Sequence, residues 1–334
     1  MDRADIARPA APPIAIRSPF AYTTRIWPSE AHVDLLLRIF LKNILPSFLV
    51  MGAGVLLDRK LHVDNKSLVR LAIYVLAPCL IFSNIVQSTV DPSQFAAMIL
   101  FVLVSTLALC ALALGVGWAL RWSSRMTDAL VLSVAFVNAG NFGLSIIQLA
   151  FGDAGLELGT VFFVASNLTC NTLAAFFAAR SNGGRKRAFQ QALKLPALYA
   201  FILAFALRSL HLAVPQPLLV STALVGGATV PIMLLLLGLQ LSQAQVGGRY
   251  REVSLGVAMR LVVGALLAFV LAPAMGLHGL ARSVAITEAS TPTAVNSALM
   301  AVQFDADADY VTSVIFFSTL LSSITLTVLL YILI

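Results

Sequence analysis

Two polar stretches that contain helix-breaking residues hold most of the side chains in this sequence that could bind a small molecule. The first stretch is Asn138-Ala139-Gly140-Asn141-Phe142-Gly143, and the second is Glu288-Ala289-Ser290-Thr291-Pro292-Thr293-Ala294-Val295-Asn296. Each stretch lies in the middle of an apolar run that is long enough to cross a bilayer. Amide and hydroxyl groups stand where a lipid-facing helix would carry Leu, Ile or Val. We expect two interrupted helices that cross near the membrane midplane and form a substrate site.

The predicted binding groups are these side chains together with the backbone groups that the breaks expose. Pro292 removes a backbone donor from its helix, while glycines weaken the other helix. Exposed backbone groups are tolerated in a bilayer only where they face protein or water, and the N-terminus of a half-helix favours a carboxylate. The predicted substrate-binding residues are Asn138, Gly140, Asn141, Gly143, Thr291, Pro292, Thr293 and Asn296. Polar contacts between packed helices are the alternative interpretation of these residues.

Glu288 is the only acidic residue well inside a predicted span. A charged side chain at the bilayer centre costs about 2.5 kcal/mol or more, so a carboxyl group there is a candidate for function. We expect Glu288 to carry a proton, which it gains and loses during a transport cycle, or to couple transport to another ion. The alternative is a carboxyl group that is hydrogen-bonded to a neighbour or paired with Arg260 or Arg282.

Composition places both stretches in a polytopic membrane protein. The chain of 334 residues is 59% hydrophobic and 11% charged, with a mean hydropathy of +0.92, whereas soluble proteins carry about 25% charged residues. The spans must be helices because lipid cannot satisfy open backbone groups. A span needs roughly 20 apolar residues, and about ten such runs fit into the sequence. We therefore predict an all-α protein with ten transmembrane helices.

Several function classes are excluded by the same composition. The net charge of +7 does not indicate a nucleic-acid partner, because the basic residues cluster in loops between apolar runs. The three cysteines lie singly inside predicted spans, so we expect neither a disulfide framework nor a metal site. No HExxH, glycine-rich phosphate loop or GxSxG motif occurs. We expect no catalytic residues and no cofactor.

The two halves of the chain repeat each other. Pro78 and Pro231 are 153 residues apart, and the same offset separates Phe151 from Phe304. Each half holds five spans, an odd number, so the halves must enter the membrane from opposite faces, as in the inverted repeats of secondary transporters. Spans 4 and 9 carry the polar breaks. The predicted segments are an N-terminal tail without fixed structure at 1–38, a first repeat at 39–180, a basic cytoplasmic linker at 181–194 and a second repeat at 195–334.

Basic residues predict the orientation of the spans. The loops after spans 1, 3, 5 and 7 carry most of the Lys and Arg, whereas the loops after spans 2, 4, 6 and 8 hold only Arg208 and Arg282. The positive-inside rule places the first set in the cytoplasm and both termini on the opposite side. We expect a multi-pass protein in a bacterial-type inner membrane.

Three motifs resemble those of the auxin efflux carrier family. They are NAGNFGLSIIQLAFGDAG in span 4, VPIMLLLLGLQLS in span 7 and EASTPTAVNSALMA in span 9. The resemblance implies a fold related to that of the bile-acid sodium symporters, in which spans 4 and 9 cross at an anion site, and its fold relatives suggest a homodimer. In one departure, Ser145 follows Gly143-Leu144 where family members often carry a proline. This departure predicts a milder break in span 4.

The leading hypothesis is a secondary carrier for a small organic anion, such as a carboxylate or an auxin-like acid, with elevator-type alternating access. Asn138, Asn141, Thr291 and Asn296 would coordinate the carboxylate, and Glu288 would couple protons or shape the site. Further amide side chains either line the path of the substrate or form hydrogen bonds between neighbouring helices. They are Asn84, Gln87, Asn167, Asn171 and Gln240. A sodium-coupled bile-acid-like symporter and a membrane receptor that does not transport are the alternatives. The substrate, the direction and the coupling ion stay open.

Overall fold

The structure is a computed structural model that describes residues 29–61, 63–178 and 195–334. Within these ranges the chain is helical apart from short connections, and it contains no β-strand. We number its helices in chain order as α1 (29–61), α2 (Asn65–Val86), α3 (Pro92–Ala119), α4 (Ser124–Ala135), α5 (139–178), α6 (Pro196–Ser209), α7 (Gln216–Ser242), α8 (Tyr250–Ala274), α9 (Gly279–Ala289), α10 (Asn296–Gln303) and α11 (Ala308–Leu333).

Seven of the helices in the described ranges, namely α1, α2, α3, α5, α7, α8 and α11, contain stretches that are long and apolar enough to cross a membrane. Helix α6 is apolar but shorter. The chain is therefore an all-helical, polytopic membrane protein. Helices α4, α9 and α10 are shorter pieces, and they belong to the two segments in which the sequence predicts a polar break.

Three of the spanning helices in the described ranges, α2, α3 and α11, begin with an aspartate cap. The carboxylate of Asp64 accepts the backbone N–H of Ser67 at the start of α2, and that of Asp91 accepts the backbone N–H of Ser93 at 2.7 Å at the start of α3. The first N–H groups of a helix have no intrahelical acceptor, so these carboxylates stabilise the helix ends. Hydrogen bonds from Ser67 lower the pKa of Asp64, and those from Ser93 lower the pKa of Asp91.

Helix α1 begins earlier than the sequence predicts. The segment Ser29–Ile39 is already helical, so the chain does not pass from tail to helix at residue 38. Arg38 forms an exposed ion pair with Asp34, one turn earlier, at 2.8 Å. Hydropathy misses this first part because a helix with a polar face scores low although it is helical. Residues 1–28, and the predicted linker at 181–194, lie outside the described residues.

Helix α5 departs twice from regular α geometry. It opens with the π turn Ala139–Gly143, and its continuation Leu144–Ala178 is broken at Gly152, which has φ 65° and ψ −157°. Only glycine adopts this backbone conformation without strain. Further π turns occur in α1, α2 and α8, at Phe40–Ile44, Ala72–Leu76 and Met259–Val263.

Side-chain contacts bring several connections together on one face of the helices. Gln243, after α7, donates to the carboxylate of Asp58 near the end of α1 at 2.8 Å. Arg249, before α8, pairs with Asp307, before α11, at 2.7 Å. The connections after α1, α7 and α10 therefore lie on the same face.

Other connections meet in a second cluster. Arg208, near the end of α6, donates to the carbonyl of Val90 in the connection between α2 and α3. Gln94, in the first turn of α3, donates to the carbonyl of Gly276 after α8 at 3.3 Å. The ends of α2, α6 and α8 thus lie together. The first cluster contains loops that the charge pattern assigns to the cytoplasm. The second cluster contains loops that it assigns to the opposite side of the membrane.

The helices pack in two groups. One group contains α1, α2, α6 and α7, and the other contains α3, α4, α5, α8, α9, α10 and α11. The closest approach in the first group joins α1 to α7, where Gly54 lies against the backbone of Leu235 and Gly238. A Cβ added to Gly54 would lie only 3.1 Å from the Cα of Gly238. The backbones of α1 and α7 therefore touch directly.

Polar side chains connect the two groups at a few points. The hydroxyl oxygens of Ser47 in α1 and Ser145 in α5 are 2.6 Å apart and share a hydrogen bond. Asn84 in α2 donates to the hydroxyl of Thr160 in α5 at 3.0 Å. Because both contacts involve α5, this helix forms much of the boundary between the groups.

Candidate functional site

Both polar stretches interrupt their helices completely. Residues 136–138 separate α4 from α5, and residues 290–295 separate α9 from α10. The first break contains no proline, yet Phe136 is extended at φ −102° and ψ 118°. The first break is nevertheless the shorter of the two, three residues against six, so the structure does not contradict the milder break that Ser145 predicts.

The two breaks pair through their main chains. The N–H of Asn138 donates to the carbonyl of Pro292 at 2.8 Å, and the N–H of Ala294 donates to the carbonyl of Phe136 at 2.9 Å. An antiparallel bridge results between Val137 and Thr293. These bonds satisfy backbone groups that would otherwise be left open inside a bilayer, where each unsatisfied group costs several kcal/mol.

A small cavity of about 60 Å³ opens beside the paired breaks, where α5 and α10 begin. Its polar lining comes mainly from the amides of Asn138, Asn141, Asn167 and Asn296, and its aromatic lining includes the ring of Phe163. No charged side chain of the described residues lines it. The N-terminal ends of two helices therefore supply the positive potential in this cavity.

A second cavity of about 230 Å³ adjoins the first and lies between α2, α5, α6 and α7. Both cavities share four lining residues, Asn141, Phe163, Asn167 and Asn296. The second cavity adds the amides of Asn171 and Gln240, and much of its remaining lining is apolar, including Val69, Ile73, Met233 and Leu236. Together they offer a polar end near the breaks and a more apolar end between the two helix groups.

Four of the predicted binding residues line these cavities. Asn138 is buried, and its side-chain Nδ2 has no hydrogen-bond partner among the described residues. Asn141 Nδ2 contacts Gln240 Oε1 at a long 3.5 Å. Gly140 lies against the ring of Phe163, which a Cβ would overlap, and Asn296 is the first residue of α10. The amide donors of Asn138 and Asn141 are thus free or only weakly engaged.

Three other predicted residues lie behind the cavities instead of lining them. The hydroxyl of Thr291 donates to the carbonyl of Glu288 at 2.7 Å, and that of Thr293 donates to the carbonyl of Ser133 at 2.7 Å. Pro292 contributes its carbonyl to the pairing with Asn138. These three residues shape the crossing, and their donor and acceptor groups are already used by the backbone.

Glu288 lies in the last turn of α9 and is 0% exposed. Neither carboxyl oxygen has a hydrogen-bond partner among the described residues. Gly143 and Gly159 of α5 leave room for the carboxyl group, which a Cβ on Gly143 would overlap. No ion pair joins Glu288 to a described arginine, so the alternative pairing with Arg260 or Arg282 does not form in this structure.

Arg260 contributes in a way that the sequence does not reveal. It lies in the π turn of α8 and is 0% exposed. Its Nη1 donates to the carbonyl of Val134 at 2.6 Å, and its Nη2 donates to the carbonyl of Ala289. These carbonyls belong to the ends of α4 and α9, on the other side of the breaks from the cavity. A single arginine in an apolar span is the only signal in the sequence.

Comparisons with known proteins find similarity to membrane transport proteins. A family model described as "Membrane transport protein" matches residues 39–195 and 185–330. An uncharacterized transporter from Methanothermobacter thermautotrophicus is 28% identical over 302 residues, which cover 89% of this chain and 96% of the relative. An uncharacterized transporter from Methanocaldococcus jannaschii is 26% identical over 268 residues, which cover 77% of this chain and 86% of the relative.

Proposed function

Because this chain belongs to the membrane transport protein family, which is the auxin efflux carrier family that its motifs resemble, we propose that it is a secondary carrier for a small organic anion. One observation carries the proposal. The N-terminal ends of α5 and α10 meet at an amide-lined cavity, beside two helix breaks that pair through their main chains. Unpaired donors at helix N-termini favour negatively charged ligands.

The charge of the site favours a monoanion. Each helix N-terminus is equivalent to about half an elementary charge, so two of them match roughly one negative charge. Neither cavity is lined by a described Lys, Arg or His, and a second negative charge on the substrate would have no partner. The free Nδ2 of Asn138 adds a neutral donor. A monocarboxylate therefore fits the cavity better than a dicarboxylate.

The adjoining cavity supports an acid with an apolar body. Its wall includes Val69, Ile73, Met233 and Leu236, while Phe163 lies between the polar and apolar ends. Burial of apolar area contributes about 25 cal/mol per Å², so an aliphatic or aromatic body would add affinity there. The substrate class we propose is an amphipathic monocarboxylate of the auxin-like kind.

The packing supports a ten-span topology with elevator-type movement. We count α4 with the first part of α5 as span 4, the rest of α5 as span 5, and α9 with α10 as span 9. The break at Gly152 supports the division of α5. In this proposal the group of α1, α2, α6 and α7 stays fixed, while the other group moves the paired breaks across the membrane. Basic loops face the cytoplasm, and both termini face the other side.

Glu288 is the proposed coupling residue. It is a buried carboxyl without a described partner and packs against Gly143, which ends the π turn of α5. A change in the protonation of Glu288, or in the ion bound to it, would therefore alter the packing where the two breaks cross. The proposal takes the proton as the coupling ion, and sodium coupling is the rival that requires a test.

Transport by purified protein in liposomes tests the proposal. Currents on solid-supported membranes and uptake of labelled acids would both be recorded for aliphatic and aromatic monocarboxylates and for dicarboxylates, at two pH values, with and without sodium, because one proton moving together with one monoanion carries no net charge. We expect transport of amphipathic monocarboxylates that responds to pH and not to sodium. Transport that requires sodium would favour a bile-acid-like symporter, and ligand binding with neither current nor uptake would favour a receptor.

Matched asparagine substitutions test the site itself. Asn138→Ala and Asn296→Ala remove amides from the cavity, whereas Asn65→Ala removes an amide at the start of α2 that lines neither cavity. We expect the first two variants to raise the KM for the transported acid, by about tenfold if each loses one hydrogen bond to a charged group. The third should behave like the wild type. Unchanged KM values in all three variants would refute the assignment of the cavity.

A further inference from the structure

Arg260 is a buried cation that lacks a carboxylate partner. Its side chain is 0% exposed, and no ion pair among the described residues includes it. A buried guanidinium without compensation is costly in any protein and more so in a bilayer. Both of its Nη groups instead donate to backbone carbonyls, those of Val134 and Ala289.

The two acceptors explain how this charge is balanced. Val134 lies in the last turn of α4, and Ala289 is the last residue of α9. The C-terminal end of a helix carries roughly half a negative charge, so two such ends supply about one negative charge, which matches one guanidinium. The carbonyls of a last helical turn have no intrahelical donor, so the same contacts also satisfy acceptors left open by the breaks.

The surroundings leave room for this arrangement. Gly264 follows Arg260 by one turn in α8, and a Cβ on Gly264 would lie 2.6 Å from Nη2 and 3.1 Å from Cζ of the arginine. A side chain at Gly264 would therefore displace the guanidinium. The π turn Met259–Val263 in which Arg260 lies is a geometry that occurs frequently at functional sites.

We propose that Arg260 is a positioning residue that joins the ends of α4 and α9 and thereby sets the distance between the N-terminal ends of α5 and α10. The cavity lies at those N-terminal ends, so its geometry depends on a residue that does not line it. Since the helix ends balance the charge of Arg260, the carboxyl group of Glu288 stays free for its own role. The link to transport rests on the proposed function, whereas the joining of α4 and α9 does not.

Disulfide trapping tests the joining without any substrate. Val137 and Thr293 form an antiparallel bridge, and directly opposed residues of such a bridge have Cα distances that suit a disulfide. Val137→Cys and Thr293→Cys would be introduced after alanine replaces Cys79, Cys110 and Cys170. We expect fast oxidation with Arg260 and at least about tenfold slower oxidation with Arg260→Met, because two charge-assisted hydrogen bonds are lost. Equal oxidation rates would overturn the proposal.

Transport kinetics separate positioning from simple stability. A role limited to stability would lower the amount of folded protein and leave the KM of the folded fraction unchanged. We expect Arg260→Met to raise the KM, and Arg260→Lys to recover part of the loss because a lysine restores the charge but not the two-pronged geometry. An unchanged KM in folded Arg260→Met protein would also overturn the proposal.

A glycine pair keeps the test valid if Arg260→Met does not fold. Gly264→Ala keeps the arginine but displaces it, and Gly115→Ala is the matched control because a Cβ on Gly115 meets no atom within 4 Å. We expect a higher KM and slower trapping only for Gly264→Ala, and equal behaviour of both variants would refute the inference. If the wild type transports none of the acids, the proposed function fails, and the trapping rates still decide the role of Arg260.

Discussion

The backbone contact between α1 and α7 gives a prediction whose size follows from the structure. Gly54→Ala places a methyl group against the carbonyl of Leu235 and the Cα of Gly238, neither of which can rotate away. Gly52→Ala, on the same helix, places its methyl group where no atom lies within 4 Å. Both substitutions gain up to about 1 kcal/mol of helix propensity. Overpacking costs about 1–3 kcal/mol, and only Gly54→Ala incurs it.

Thermal unfolding in detergent compares the two variants. The propensity gain cancels in the comparison, so Gly54→Ala should be less stable than Gly52→Ala by the overpacking cost alone. About 1 kcal/mol shifts Tm by roughly 2–4 °C in domains of 150–250 residues and by less in larger ones, so we expect a difference of several degrees. A Tm for Gly54→Ala equal to or above that of Gly52→Ala would show that the two backbones do not touch.

Three further perturbations have defined outcomes. Asp91 caps α3, and its pKa is lowered in the folded protein. Its contribution to stability is therefore present at neutral pH and is lost as pH falls through that lowered pKa. The Tm difference between wild type and Asp91→Ala should stay constant from pH 7 to about 5 and shrink only below about 4. A difference that already shrinks near pH 6 would contradict this assignment. Asn138→Asp adds a negative charge to the cavity. At about 4 Å and an effective dielectric of 20, the repulsion between this carboxylate and a bound monoanion is about 4 kcal/mol, so the KM for a monoanion should rise by more than tenfold. Asn138→Ala serves as the neutral comparison. Ser47→Cys with Ser145→Cys, whose hydroxyls are 2.6 Å apart, should form a disulfide that stops transport until it is reduced; full transport by the fully cross-linked protein would exclude movement between the two helix groups.

Local composition was enough to single out three amides that line one cavity. Asn138, Asn141 and Asn296 stand out in the sequence because amide side chains in an apolar run are unfavourable in contact with lipid. The structure brings all three to one cavity. The same reasoning could not separate them from Thr291 and Thr293. All are polar residues in the same stretches, but the hydroxyls of the threonines are used by backbone carbonyls, which depends on how two distant segments meet.

The parts that sequence reasoning missed depend on tertiary contacts. The break at residues 136–138 needs no proline because the second stretch supplies its hydrogen-bond partners. Arg260 finds its partners in main-chain carbonyls, which leave no trace in residue identity. The early start of α1 is a different case, since polar residues on one face lower the hydropathy of a segment without opposing a helix. The predicted tail boundary at residue 38 therefore marks where hydrophobicity begins and not where the helix begins.

The pairing of the two breaks through their main chains has a consequence for how the site can change. Hydrogen bonds between N–H and carbonyl groups of Asn138, Pro292, Ala294 and Phe136 place few demands on the side chains beside them. Substitutions in the cavity wall, at Asn141, Phe163 or Asn296 for example, can therefore alter what fits without dismantling the crossing. One framework can serve carriers with different cargoes, and the same positions are the natural starting point for redesigning selectivity.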